Sequence, residues 1–426
     1  MNSFLTVGIT HDAAAIGGLE RVAAAAADKD ALRERALAAG CAEVMVLSTC
    51  SRIELHAVLD LPAYADAASR KASWAVADRL IGLLLGDCRE PVGRATVVRG
   101  EDAVRHLFRT AAGLGSRIVG EVEVQAQLRA AARAAIARQG DAHRLRRVVT
   151  AALTAARETS RAHPGLLRRG LLVERAVSGA LVGHPDAQSV DAVVVGAGTM
   201  GRQVLEALPA ARGRAALLSR RSSANGGGPP VHPLGELPQR LSDADVLFVA
   251  TSAGRRLLSA ELVRGVMQDR PGRSLTIVDL SLPRNVDPAV AAVPGVRLLN
   301  LDDLGDRGSG ATPDGRAVEA ATATAEAAAD AYCAEMRSRR AGPLIASLRT
   351  GVEDTCLEQL RRATRGMGLP EETLLRMAAA VAGAVAHAPT VLARQAAAED
   401  DEAALALLRA AFRLDGRDRP DVWSVA

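Results

Sequence analysis

A chain of 426 residues is long for one hydrophobic core and is expected to fold as two or three domains. Its net charge of +4 is modest for that length and does not by itself announce nucleic-acid binding, and its five cysteines, odd in number and without a C-x-x-C pair, argue against a disulfide framework or a cysteine zinc site. There is no basic N-terminal segment followed by an apolar one and no uninterrupted apolar run long enough for a bilayer, so a reducing, cytoplasmic location with no membrane segment and no metal is expected.

The first region, residues 1–145, mixes strand-like runs, FLTVGIT (4–10) and EVMVLST (43–49), with Ala-rich helical stretches, which predicts a small α/β domain. The second strand runs into STCSRIEL, placing Cys50 where the chain leaves the sheet. A cysteine there is by default a small buried hydrophobe. Arg52 and the neighbouring Ser48, Thr49 and Ser51 open the other reading, a polar, cationic setting that favours the thiolate. On the residues alone the two readings stand level.

Residues 146–182 are rich in Ala, Leu and Arg and predict a long connecting helix, with a kink or a helix–helix break expected near His163–Gly165 where a Pro and a Gly fall. From 183 to 304, apolar runs alternate with helical segments, as a parallel α/β sheet requires. Its opening is Gly196-Ala197-Gly198-Thr199-Met200-Gly201, directly after the apolar run AVVV and before a helical stretch. Gly196 suits the tight turn, Gly198 lets the backbone approach a pyrophosphate, and Gly201 lets the helix pack against the sheet. The following strand ends in Ser219-Arg220-Arg221-Ser222, where an NAD site would carry an acid. Arg220 and Arg221 suit a 2′-phosphate, so NADPH is the expected cofactor. Residues 305–316 read as a linker, 317–414 as wholly helical, and the last dozen residues as a loosely ordered tail. The Ala/Leu faces of the helical region would be covered by a second copy of the chain.

Taken in order, STCSRIEL, RHLFRTAAGLGSRIVGEVEVQAQL (105–128), GAGTMG, LFVATSA (247–253), IVDLSLPRNVDP (277–288) and LLNLDDL (298–304) resemble the glutamyl-tRNA reductase family, as a divergent member. The resemblance implies an α/β plus all-α protein: an N-terminal α/β catalytic domain, a long connecting helix, a Rossmann NADP domain and a C-terminal helical dimerisation domain. It implies NADPH-dependent reduction of glutamyl-tRNA to glutamate-1-semialdehyde through a Cys50 thioester, the first committed step of tetrapyrrole biosynthesis. Cys50 would be the nucleophile, and His106 would orient the thioester or handle a proton. Thr49, Ser51, Arg52, Ser116, Glu121, Val122, Glu123 and Gln127 would hold the glutamyl group, with Arg52 on its side-chain carboxylate and Glu121 on its ammonium. A homodimer through the C-terminal helices and a glutamate-1-semialdehyde aminotransferase are the implied partners. Because Cys50 and the nucleotide loop lie on different domains, a hinge around Gly183–Ser189 is expected.

The chain departs from the family pattern at Ser51 (usually Asn), Ile53 (often Thr), Gly115 (usually Asp) and the Glu121-Val122-Glu123 run (usually Glu-Pro-Gln). LLVERAVSGA (171–180) replaces a run of small and hydroxyl residues. These changes leave open a divergent paralogue, either an NADP oxidoreductase with another acyl or small substrate, or a non-catalytic tRNA- or partner-binding protein.

Overall fold

The computed structural model describes residues 3–60, 67–86, 92–140, 142–167, 169–184, 186, 188–208, 215–220, 230–251, 253, 256–305, 314–412 and 414. Two compact units result, Asn2–Ala328 and Ala329–Ala426.

The larger unit opens with a sheet of β1 (Phe4–Thr10), β2 (Cys41–Ser48), β3 (Arg52–Leu59) and β4 (Thr96–Arg99), in the order β2-β3-β1-β4 and antiparallel throughout. Every residue of β3 is buried, so both its faces are covered. Its odd positions Ile53, Leu55, Ala57 and Leu59 join Leu5, Val7 and Ile9 of β1 in an apolar cluster. That cluster is closed by α1 (Ile16–Ala25), α2 (Lys29–Ala38) and α3 (Ala67–Leu85). The even positions Arg52, Glu54 and His56 point to the other face, as the two-residue period of a strand dictates. Gly8 stands directly opposite Glu54, and a Cβ there would lie 2.5 Å from the Glu54 Cγ, so the missing side chain makes room for the carboxylate. α4 (Gly100–Ala111), α5 (Val124–Gln139) and α6 (His143–Ala162) pack against this sheet as well.

Of the kink or break expected within 146–182, the structure has the break, and the stretch is two helices. α6 ends at Ala162 and α7 (Leu171–Leu181) begins after Gly170, with Pro164 in the break. The two helices also belong to different cores. The buried stripe Leu145, Val148, Val149, Ala152 and Ala156 of α6 belongs to the face that packs with α4 and α5. Leu172, Val173, Ala176 and Ala180 of α7 join the core of the following sheet. A proline lacks the N–H and crowds the preceding turn, which accounts for the break.

That second sheet is parallel, with β5 (Ala192–Val195), β6 (Ala215–Ser219), β7 (Val231–Pro233), β8 (Val246–Val249), β9 (Leu275–Asp279) and β10 (Val296–Asn300) in the order β10-β9-β8-β5-β6-β7. Val194 faces the cluster closed by α7, α8 (Thr199–Ala207) and α11 (Leu301–Leu304), while Val193 and Val195 face the one closed by α9 (Leu237–Asp243) and α10 (Ala260–Gln268). Helices on both faces explain why β5 and β8 are uniformly apolar. The strand order reverses between β5 and β8, the crevice where doubly wound sheets bind ligands.

α12 (Gly315–Ser338) starts inside the stretch expected to be a linker and crosses the junction of the two units. Residues 306–313 of that linker, and the C-terminal tail from 415, lie outside the described residues. The smaller unit contains α13 (Gly342–Ala363), α14 (Glu371–Ala398) and α15 (Glu402–Ala411) around Ile345, Ala393, Ala396, Ala397, Leu405 and Leu408. Alanines 378, 382 and 386 repeat every fourth residue along the buried side of α14. Met377, Val381, Val385 and Leu392 form an exposed apolar stripe on it. Where no membrane-length apolar run was expected, α14 is long and apolar enough by length and composition to cross a membrane, although Arg376, His387 and Arg394 lie within it.

Candidate active site

Cys50 sits in the two-residue turn of the β2–β3 hairpin, closed by Thr49 N donating to Arg52 O at 2.8 Å. The turn is pinned from several sides. Ser51 N donates to Thr49 Oγ1 (3.1 Å), Arg117 N donates to Ser51 Oγ (3.0 Å) and His11 N donates to Ser51 O (2.8 Å). Thr49 and Ser51 are buried and Cys50 half-buried, with its Sγ 3.7 Å from Ser51 Oγ.

The expectation that Arg52 would favour the Cys50 thiolate is overturned. Burial, then the charge of Glu121, push the thiol up to about 11, and Ser51 and Arg117 offset only part of this. Arg52 is spent elsewhere. Only 2% exposed, it donates to Thr110 Oγ1 (2.8 Å), to Glu54 Oε1 (3.3 Å) and to Gly115 O. A Cβ at position 115 would lie 2.7 Å from Arg52 Nη2, so glycine is what lets this guanidinium reach the backbone carbonyl. Both terminal nitrogens of Arg52 thus donate internally, while its buried Nε has no hydrogen-bond partner.

Glu54 is the centre of this polar face. It is fully buried, and its carboxylate lies 2.8 Å from His106 Nε2 and 3.2 Å from His56 Nε2. His56 Nδ1 lies 3.0 Å from Thr6 Oγ1. Burial alone would raise the Glu54 carboxyl, but Arg52 and His106 outweigh it and hold the group well below the usual range. His106, expected beside the thioester, is thus tied to Glu54 from α4. Burial lowers His56, against the pull of Glu54.

Ser116, Glu121, Val122 and Glu123 follow on the segment between α4 and α5. Ser116 and Glu121 are buried. Burial, then the charge of Glu123, push the Glu121 carboxyl up to about 7. Glu123 accepts from Gly170 N at 2.8 Å, tying this segment to the start of α7, and Val122 is half-buried. The structure does not gather the expected binding residues into one cavity. Ser116 lines a cavity of about 680 Å³ with His11, Asp12, Arg117 and Asp302. Gln127 lines another of about 800 Å³ with Ser48, Lys29 and Arg33.

The nucleotide loop behaves as its glycines require. Gly196 has φ +122°, and a Cβ there would strike Ala250 O; one at Gly201 would land on Gly196 O. Gly198 faces open space. Gly196, Ala197 and Gly198 line a cavity of about 730 Å³ at the β5/β8 crevice with Arg202, Ser219, Arg220 and Thr251. Its size, its glycine floor and its arginine at the ribose end fit a dinucleotide phosphate. Thr199 and Met200 open α8, Met200 packing on the apolar cluster below. Arg221 lies outside the described residues.

The two sheets of this unit meet at the thiol. Cys50 packs against the apolar cluster of the parallel sheet, which also takes in Ile16 and Ile118. Arg284 donates its backbone N, Nε and Nη2 to Glu20 (2.7, 2.8 and 2.6 Å), and Arg117 pairs with Asp302. The expected hinge at 183–189 includes residues 185 and 187, which are outside the described residues. His11, Glu54, Arg117 and Asp302 were not singled out from the sequence. For Glu54 a signal was available: R-x-E-x-H in an otherwise apolar strand puts three polar groups on one face. Burial, then Arg117 and Arg52, drive His11 down to about 4 against the pull of Asp12.

Three family models match the chain in sequence: glutamyl-tRNAGlu reductase, N-terminal domain, over residues 7–162; shikimate/quinate 5-dehydrogenase over 180–306; and glutamyl-tRNAGlu reductase, dimerisation domain, over 320–414. Glutamyl-tRNA reductase 2 of Nocardioides sp. is 36% identical across 92% of this chain and 89% of its own length. Glutamyl-tRNA reductase of Deinococcus radiodurans is 33% identical across 71% and 83%. Among solved structures, glutamyl-tRNA reductase from Methanopyrus kandleri aligns with 98% of this chain and 100% of its own at 25% identity, with a TM-score of 0.45.

Proposed function

The chain belongs to the glutamyl-tRNA reductase family, and from that premise we propose that it reduces glutamyl-tRNA to glutamate-1-semialdehyde with NADPH, through a thioester on Cys50. This is the first step of tetrapyrrole synthesis. The observation that carries the proposal is the placement of Cys50: the thiol tips a hairpin that packs on the nucleotide-binding sheet.

The Cys50 sulfur attacks the ester carbonyl, the bond to the tRNA ribose oxygen breaks, and that oxygen leaves with a proton as the free hydroxyl. Gly196–Gly198, Arg202 and Arg220 would hold NADPH, which would supply the hydride for the second half of the reaction. The aldehyde leaves and the sulfur regains its proton. Glu121 is the proposed site for the substrate ammonium. A cation there would neutralise the charge that, after burial, most disfavours the thiolate, so substrate binding would itself help activate the nucleophile. Ser116, with the buried turn at Thr49 and Ser51, positions the acyl group. His106 acts through Glu54 and Arg52 on the shape of this pocket.

The exposed stripe on α14 is the proposed homodimer face, within the region that matches the dimerisation domain. Among the described residues, Cys41, Cys50, Cys333 and Cys356 are not joined in disulfides, which suits a cytoplasmic enzyme, and a glutamate-1-semialdehyde aminotransferase is the proposed recipient of its reactive product. One observation favours a second reading of the substrate. With both terminal nitrogens of Arg52 already donating internally, an acyl group lacking the side-chain carboxylate could also occupy the pocket. Both readings meet one experiment, semialdehyde formation from glutamyl-tRNA with NADPH, compared with Cys50→Ser. Full activity in Cys50→Ser sinks the thioester, and turnover of glutaminyl-tRNA at the same rate as glutamyl-tRNA favours the second substrate reading.

A further inference from the structure

Charge is distributed very unevenly along this chain. Residues 124–169 hold ten arginines against Asp141 and Glu158, a net +8, while the whole chain carries +4, so everything else sums to −4. This stretch is the α5–α6 helical hairpin and the turn after it. The two helices pack together through small and aliphatic side chains, Leu128, Ala132 and Ala135 on one and Leu145, Val148 and Ala152 on the other being buried. Arg138 pairs with Asp30 and Arg144 with Glu43, but others of their arginines face solvent. On α6, Arg146, Thr150, Thr154, Arg157 and Arg161 are all exposed and fall at steps of four, four, three and four, so they form one stripe. It spans about 22 Å along the helix. On α5, Arg129 and Arg133 are exposed one turn apart.

We propose that this arginine–threonine face of α5 and α6 is where the phosphate backbone of the aminoacylated RNA lies while its 3′ ester reaches Cys50. The inference rests on the reading of the chain as acting on an aminoacyl-tRNA. Three observations carry it. The charge is of the sign a polyanion needs and is concentrated in guanidinium groups, which bind phosphate through paired donors. Thr154 sits between the arginines and accepts from Arg157 Nη2 at 3.2 Å, which leaves its own hydroxyl proton beside the guanidinium for a phosphate oxygen, whereas Thr150 donates to Arg146 O. Finally, the face is continuous with the site. α5 begins directly after the segment that carries Ser116 and Glu121, whose charge is felt at Cys50, and Gln127 in its first turns lines a cavity with Ser48, two residues before Cys50. An ester delivered to Cys50 would bring the adjoining nucleotides past this end of α5. The smaller unit offers no comparable excess, since residues 329–414 hold equal numbers of arginines and carboxylates.

The test uses the full chain with Arg146→Gln, Arg157→Gln and Arg161→Gln combined, glutamine keeping helix propensity and bulk. A control removes two exposed arginines elsewhere, Arg35→Gln and Arg264→Gln. Binding of deacylated tRNA is measured across a salt series, and thioester formation is measured with a small glutamyl ester that has no RNA. The wild type should bind tRNA with a strongly salt-dependent affinity. The triple variant should bind roughly tenfold more weakly at low salt and with a log–log slope shallower by about 3, while the control is unchanged. Both variants should react with the small ester as the wild type does. A triple variant with wild-type affinity and slope overturns the inference, as does a control that weakens equally. If the proposed chemistry is what fails, the wild type acylates Cys50 from neither ester, a different result from a wild type that reacts but binds RNA elsewhere.

Discussion

Replacing Glu54 by Gln tests the polar face behind the thiol. Glu54 and Arg52 are buried at 0% and 2% exposure, 3.3 Å apart, with His106 and His56 on the same carboxylate. Removing one partner of such a pair leaves the other charge buried and uncompensated, which costs about 3–5 kcal/mol. Glu54→Gln should therefore lower the stability of the β1–β3 sheet by about that amount near pH 7, read from hydrogen exchange of its amides and from urea denaturation. The pH dependence has a definite sign. The folded pKa of Glu54 is depressed, so its contribution is present above the ordinary carboxylate range and is lost as pH falls through the folded value. The gap between wild type and variant should shrink in acid. Adding Arg52→Met should restore part of the loss, because the orphaned cation is then gone. A single variant costing under about 1 kcal/mol, or a double variant whose losses simply add, would refute the view of Glu54 as a buried hub.

Cys50 should alkylate slowly at neutral pH, with iodoacetamide rates rising about tenfold per pH unit toward about 11, and Glu121→Gln should shift that curve to lower pH; a plateau near pH 8 would contradict it. The Glu121 carboxyl is raised to about 7, so its protonated form is favoured by folding and stability is lost as pH rises toward that value. Glu121→Gln should accordingly be more stable than the wild type at pH 8 and no more stable at pH 4, by thermal melting. Gly201→Ala puts a methyl group on Gly196 O, and overpacking of about 1–3 kcal/mol should weaken NADPH binding at least tenfold by titration calorimetry while leaving Cys50 alkylation unchanged. Arg220→Ala should lower affinity for NADPH more than for NADH, and an equal loss for both would remove Arg220 from the 2′-phosphate site.

The doubly wound sheet was legible because its signals are local. An apolar run, a glycine-spaced turn and a helix follow one another in sequence, and the central strands β5, β8 and β9 are buried on both faces. The first strand coincided with FLTVGIT for the same reason. Pro164 marked where the connecting helix would kink or break, but alanine and leucine pattern equally well onto one helix or two, and which core each half joins is a tertiary matter. The site was legible as a set of residues and not as a set of contacts. Arg52 looked like a binding group because its sequence neighbours are polar, whereas the partners that consume it, Glu54, Thr110 and Gly115, are set by strand pairing and by a helix some sixty positions on. Arg117 and Asp302 are separated by 185 residues, and nothing local joins them.

The most direct test of the account is to mix the protein with tRNA carrying isotopically labelled glutamate, without NADPH, quench in acid and digest for mass spectrometry. The account predicts labelled glutamyl on the peptide containing Cys50, lost on treatment with hydroxylamine and converted to free semialdehyde when NADPH is added before the quench. Semialdehyde formed by a chain whose Cys50 never carries the label, or by Cys50→Ser, would contradict it.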